Sequence, residues 1–86
     1  MSVFSVRYTR SAEKDLERLP ARVVERIQTA IGELADHPRP RGVKKLQGYE
    51  NTYRIRVGEY RVLYEIHESV VTVLIIQISH RKDAYR

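Results

Sequence analysis

The sequence predicts an α+β domain of order β-α-α-β-β-β, an antiparallel sheet with a helical hairpin packed on one face. Three observations point there. Apolar residues recur at spacings of three and four from Ala12 to Leu34, then at a spacing of two after Thr52. Pro20, Pro38, Pro40 and Gly58 stand at the joints between these runs. The chain has 86 residues, 42% of them hydrophobic. That is enough for one core over 1–86 and leaves no room for a second domain. A chain this short buries only roughly 60–65% of its unfolded surface.

Phe4, Val6 and Tyr8 alternate with Ser5 and Arg7, which predicts a short first strand. From Ser11 the period becomes helical, with Ala12, Leu16 and Leu19 on one stripe. Pro20 ends that helix and suits the first position of the next. The second helix carries Val23, Val24, Ile27, Ala30, Ile31 and Leu34 toward the core, and Asp36-His37-Pro38-Arg39-Pro40 stops it. A loop spans Arg41 to Gly48. Tyr53, Ile55 and Val57 then alternate with Thr52, Arg54 and Arg56. Gly58-Glu59 fits a two-residue type II′ hairpin turn, with glycine at the first central position. That turn sets Val57 opposite Tyr60, Arg56 opposite Arg61 and Ile55 opposite Val62. The run Val70–Ile78, apolar on both faces, is expected to be the central, doubly covered strand.

Composition excludes several chemistries. There is no cysteine, so neither a disulfide nor a thiolate metal site is available, and the three histidines show no metal-ligand spacing. No cofactor is expected. No glycine-rich phosphate loop and no nucleophile in a triad context occur. The longest apolar run is less than half of the ~20 residues needed to span a bilayer, and no signal peptide is recognisable at the N-terminus. A cytoplasmic location without membrane association is the expectation.

The charge is unevenly placed. Residues 1–38 hold six basic and six acidic side chains, whereas residues 39–86 hold ten and five, so the whole net charge of +5 lies in the second part. The hairpin register gathers Arg54, Arg56 and Arg61 on one face of the sheet, with Tyr53, Ile55, Val57, Tyr60, Val62 and Tyr64 on the other. Glu65 is the only acid of its strand with the parity to join the arginines. Guanidiniums directly opposite one another are destabilising unless an anion sits between them. Arginine's planar fork grips phosphate and stays charged, which suits a scissile phosphodiester and its transition state. Past the last strand, His80-Arg81-Lys82-Asp83-Ala84-Tyr85-Arg86 adds cations next to a ring able to stack on a base. His37 and His67 read as loop and turn residues.

The ordered set Lys45-Leu46-Gln47-Gly48, Tyr53-Arg54-Ile55-Arg56, Tyr60-Arg61-Val62-Leu63-Tyr64 and His80-Arg81 followed by Tyr85 resembles the RelE/ParE toxin superfamily, and within it the RelE branch. The likeness runs from Tyr8 to Tyr85. It implies the helical hairpin on one sheet face and an active groove on the other. It also implies a metal-independent endoribonuclease that enters the ribosomal A site and cuts mRNA by attack of a ribose 2′-OH on the adjacent phosphate. The partners so implied are ribosomal RNA, mRNA and a RelB-like antitoxin in a toxin–antitoxin hetero-oligomer.

Carried over by motif, the resemblance places Arg54, Arg61, Arg81 and Tyr85 as catalytic residues. Arg61 holds the scissile phosphate, Arg81 stabilises the pentacoordinate state or the leaving oxygen, and Tyr85 stacks on a base. Arg56, Lys44, Lys45 and His80 are expected to bind RNA. Better-known relatives carry lysine where this chain has Arg54 and Arg56. Arginine is a poor proton acceptor, which leaves His80, Tyr85 and Glu65 as candidates for the general base. The alternative is a ParE-like toxin on the same scaffold that inhibits DNA gyrase by binding, without cutting RNA.

Overall fold

Local sequence explains the helices and the longer strands of the computed structural model, which describes residues 3–82. Strand β1 (Ser5–Tyr8) turns Val6 and Tyr8 to the core and leaves Ser5 and Arg7 exposed. Helix α1 (Arg10–Glu17) begins at Thr9, whose hydroxyl accepts from the Ala12 amide at 3.1 Å and satisfies one of the orphan N–H groups of the first turn. Pro20 stands one residue before helix α2 (Ala21–Asp36) rather than inside it. Its carbonyl accepts from the amides of Val23 and Val24. Ile27, Ile31, Leu34 and Ala35 are the buried stripe of α2, each facing the sheet at helical spacing.

Four further strands follow: β2 (Lys44–Lys45), β3 (Thr52–Val57), β4 (Tyr60–His67) and β5 (Thr72–His80). The sheet order is β1-β5-β4-β3-β2. Strands β2 to β5 pair antiparallel, whereas β1 runs parallel to β5, so the sheet is mixed. Both helices lie against one face, and their apolar stripes meet Tyr53, Ile55, Val62, Tyr64, Ile66, Val73, Ile75 and Ile78 in a single core. No helix among the described residues is long and apolar enough to cross a membrane.

The α+β class, the helical hairpin on one face and the antiparallel β3–β4–β5 meander match expectation. So does the β-hairpin: Val57 pairs with Tyr60, Arg56 with Arg61, and Ile55 with Val62. Gly58 takes φ +60 and Glu59 does not have positive φ, as a type II′ turn requires.

Three features differ. Strand β2 falls inside the expected loop; two exposed lysines are too short and polar to show a period. The parallel β1–β5 pairing is invisible to periodicity, which records burial and not strand direction. The apolar run also begins too early: Glu68–Val70 is a 3-10 turn, and Val71 closes it at φ +47. Strand β5 lies between β1 and β4, but only its Val73, Ile75 and Ile78 are buried. Leu74 and Ile76 are half-buried, and no second layer among the described residues covers the other face.

Helix α1 also completes the edge of β5. The register slips by one at Ile76, since Leu63 pairs with Gln77 but Tyr64 with Ile75. Beyond Tyr8, β1 no longer covers that edge. There the Thr9 hydroxyl donates to the Ile76 carbonyl at 2.9 Å, and the Asp15 carboxylate accepts from the Ile78 amide at 2.9 Å. The backbone groups left by the bulge are thereby satisfied.

Candidate functional site

The uncovered face of the sheet is the candidate site. Cross-strand partners share a face, so the pairs Arg56–Arg61 and Lys44–Arg54 put four cations on the side away from the helices. They converge: Lys44, Arg54, Arg56 and Arg61, with Gly42 and Ile55, line an open hollow of about 180 Å³. Arg54 and Arg56 have no ion-pair partner among the described residues. The Arg56 Nε donates instead to the Gly58 carbonyl at 3.1 Å, which ties the guanidinium stem to the hairpin turn. An anion in the hollow gains several charge-assisted contacts and relieves the Arg56–Arg61 repulsion.

Lys44 was expected in a loop; β2 makes it part of the hollow's wall. Lys45, one residue on, pairs with Tyr53 and takes the opposite parity. Arg81 lies at the end of β5 by the hairpin turn. Its amide donates to the Glu59 carbonyl at 2.8 Å, and its Nε to the Glu59 carboxylate at 2.9 Å. It is thus ion-paired beside the hollow, half-exposed, and does not line it. Tyr85 lies outside the described residues.

His80 is not brought to the arginines. It pairs with Tyr60, whose side chain belongs to the helix-side face, and the two rings meet edge to face at 5.2 Å. Strict alternation gives the arginine face to Ser79 instead, directly opposite Arg61, and to Gln77 opposite Leu63. Glu65 does have the expected parity, but its carboxylate meets His67 Nε2 at 2.7 Å. Beyond it, Arg7 shares the open face through its pairing with Leu74. His67, expected at a turn, ends β4 at the parity of Arg61 and Glu65. Ser79, Gln77 and Arg7 escaped sequence reasoning. Their faces depend on the β4–β5 register, a bulge and a parallel pairing, none of which leaves a local pattern.

A second polar cluster closes the helix-side end of the core. Tyr53 and Tyr64 stack with centroids 6.0 Å apart. The Tyr64 hydroxyl donates to the Pro38 carbonyl at 2.6 Å, and Arg39 Nε donates to the Tyr53 hydroxyl at 3.1 Å while its Nη2 binds Glu68 at 2.6 Å. Burial pushes the Tyr64 hydroxyl well above the ordinary tyrosine pKa. These contacts are on the packed side and hold the α2–β2 connection to the sheet.

Comparison with known proteins decides the lineage. The family model described as the ParE toxin of the type II toxin–antitoxin system parDE matches residues 6–85. This chain belongs to the RelE/ParE toxin superfamily. Among its relatives, Toxin RelG of Mycobacterium tuberculosis is 36% identical over 84 residues, covering 96% of this chain and 97% of that protein. Toxin RelE3 of Methanocaldococcus jannaschii is 33% identical, with 93% of each chain covered. Of solved structures, the M. tuberculosis RelBE2 toxin–antitoxin complex aligns at TM-score 0.80 and 36% identity over 94% of each chain. The archaeal RelE–RelB complex of Pyrococcus horikoshii aligns at TM-score 0.82 and 28% identity, covering 92% of this chain and 96% of that one.

Proposed function

We propose that this toxin is a ribosome-dependent endoribonuclease that cuts mRNA in the A site and is held inactive by a RelB-like antitoxin. The observation that carries the reading is the convergence of Lys44, Arg54, Arg56 and Arg61 on one open hollow. Fixed cations there serve a phosphodiester whose charge grows in the transition state. In the step envisaged, the ribose 2′-oxygen forms a bond to the adjacent phosphorus as its proton leaves. The bond from phosphorus to the 5′-oxygen breaks, and that oxygen takes up a proton. The products are a 2′,3′-cyclic phosphate and a free 5′-OH. Arg61 holds the phosphate, Arg54 and Arg56 neutralise it, and Arg81 supports the leaving oxygen from the hollow's edge.

Among the described residues the hollow's lining offers no strong base: arginine is a poor proton acceptor, and Glu65 is engaged with His67. Alignment of the 2′-OH by the ribosome then supplies most of the acceleration, and free toxin is nearly inactive on naked RNA. The antitoxin assignment draws on the solved relatives, several of which are toxin–antitoxin complexes. Its segments cover the basic face.

The test is to add purified toxin to a translation extract and map mRNA 5′ ends. Cuts inside A-site codons carrying 5′-OH ends are expected; intact message overturns the reading. The second reading, gyrase inhibition by binding, is favoured by one observation: the matching family model is described as ParE. It predicts intact message together with arrested DNA supercoiling.

A further inference from the structure

Two guanidiniums approach Gly58 from different elements. Arg56 donates to its carbonyl at 3.1 Å, and Arg26 of α2 lies on its Cα, with Nη2 only 3.1 Å from where a Cβ would stand. The hairpin tip is therefore a bridge between two basic regions. On the helix side of the tip opens a second hollow of about 310 Å³ between α2 and the hairpin, rimmed by Arg22 and Arg26 and floored by Val23, Ile27, Val57 and Tyr60. That size falls at the low end of the roughly 300–1,000 Å³ typical of small-ligand sites.

Arg22 and Arg26 are four apart on one helix, which sets two like charges side by side at a cost in helix stability. Neither has an ion-pair or hydrogen-bond partner among the described residues. The one carboxylate in the hollow, Glu59, is bound by Arg81 at 2.9 Å. A pair of forked cations above an apolar, partly aromatic floor has the two-part chemistry of a nucleotide: phosphate for the guanidiniums, base for Val57 and Tyr60.

We infer that the hollow between α2 and the β3–β4 turn is a second RNA subsite, which holds one nucleotide of a single strand that passes from the arginine hollow around the hairpin tip. Its phosphate is gripped by Arg22 and Arg26, and its base packs on Val57 and Tyr60. The inference rests on the reading of the open face as an RNA groove, and it extends that groove to the other side of the sheet.

The test is fluorescence anisotropy of the full chain with two labelled RNAs, a trinucleotide that fills the arginine hollow alone and a dodecanucleotide that reaches around the tip. The double variant Arg22→Ala/Arg26→Ala is compared with Arg10→Ala/Arg18→Ala, which loses the same charge from exposed positions on and beside α1. The first variant is expected to weaken dodecanucleotide binding about tenfold or more. It should also flatten the dependence on log salt by about 0.7, the share of one neutralised phosphate on a single strand. Trinucleotide binding stays unchanged, and the α1 variant leaves both affinities near native. Arg22→Lys/Arg26→Lys restores the salt slope. Unchanged dodecanucleotide affinity, an equal loss for both RNAs, an equal loss in the α1 variant, or no restoration by lysine each overturns the site. Intact message in the translation extract, alongside the expected dodecanucleotide result, would sink the nuclease assignment and leave this site standing.

Discussion

Arg61 faces Arg56 directly across β3 and β4, a like-charge pair that the fold keeps although it costs stability. On the proposed function Arg61 holds the scissile phosphate, so in Arg61→Ala cleavage in the translation extract is expected to fall about a hundredfold to a thousandfold. Growth inhibition should disappear while the circular dichroism spectrum stays native; a fully toxic variant would mean that the hollow is not the site. Arg81→Ala breaks only a half-exposed ion pair with Glu59, which is worth less than about 1 kcal/mol. Loss of toxicity in that variant with an unchanged melting temperature therefore reports chemistry and not unfolding. Tyr64 gives the pH prediction. Burial raises its folded-state pKa above the unfolded value of about 10, so the neutral hydroxyl is favoured in the folded chain. Its contribution to stability is complete below about pH 10 and is lost as pH climbs from there toward the raised folded-state value. Melting temperatures measured across the alkaline range should fall more steeply for the native chain than for Tyr64→Phe; equal slopes would contradict the assignment.

Two turns make opposite demands on their residues. Gly58 needs φ +60 for the hairpin, and Arg26 occupies the space a Cβ would take. Gly58→Ala is expected to cost about 1–2 kcal/mol, read as a lower urea midpoint at unchanged slope. Val71 adopts φ +47 with a β-branched side chain, a strained choice at an exposed position. Val71→Gly should stabilise the fold by about 1 kcal/mol, read as a higher urea midpoint at unchanged slope. A midpoint that falls would show the turn to be unstrained. At the level of whole elements, α1 is tied to β5 by Asp15, whose carboxylate takes the Ile78 amide beside the bulge. Asp15→Ala leaves that N–H unsatisfied at about 1–3 kcal/mol, and hydrogen exchange at Ile78 is expected to speed up first.

For the molecule as a whole, an even charge budget over residues 1–38 and an excess over 39–86 give a basic face on a neutral helical support. Lys44 lines the hollow and Lys45 does not, so Lys44→Ala should flatten the salt dependence of RNA binding by about 0.7 and Lys45→Ala by less. Equal slopes would erase the distinction. The alternation of Tyr53, Ile55 and Val57 with Arg54 and Arg56, reflected across Gly58-Glu59, was enough to read the hairpin register and its arginine face, because burial imposes period two on one strand at a time. The helices were legible for the same reason at period 3.6. Pairings between distant strands were not legible. That Lys44 joins Arg54, that Ser79 and not His80 faces Arg61, that Glu65 is taken by His67, and that Arg26 reaches the hairpin tip all depend on contacts whose residues share no local pattern. Such contacts are set when elements pack and registers lock. Local amphipathicity thus determined which side chains leave the core, and tertiary pairing alone decided which of them meet.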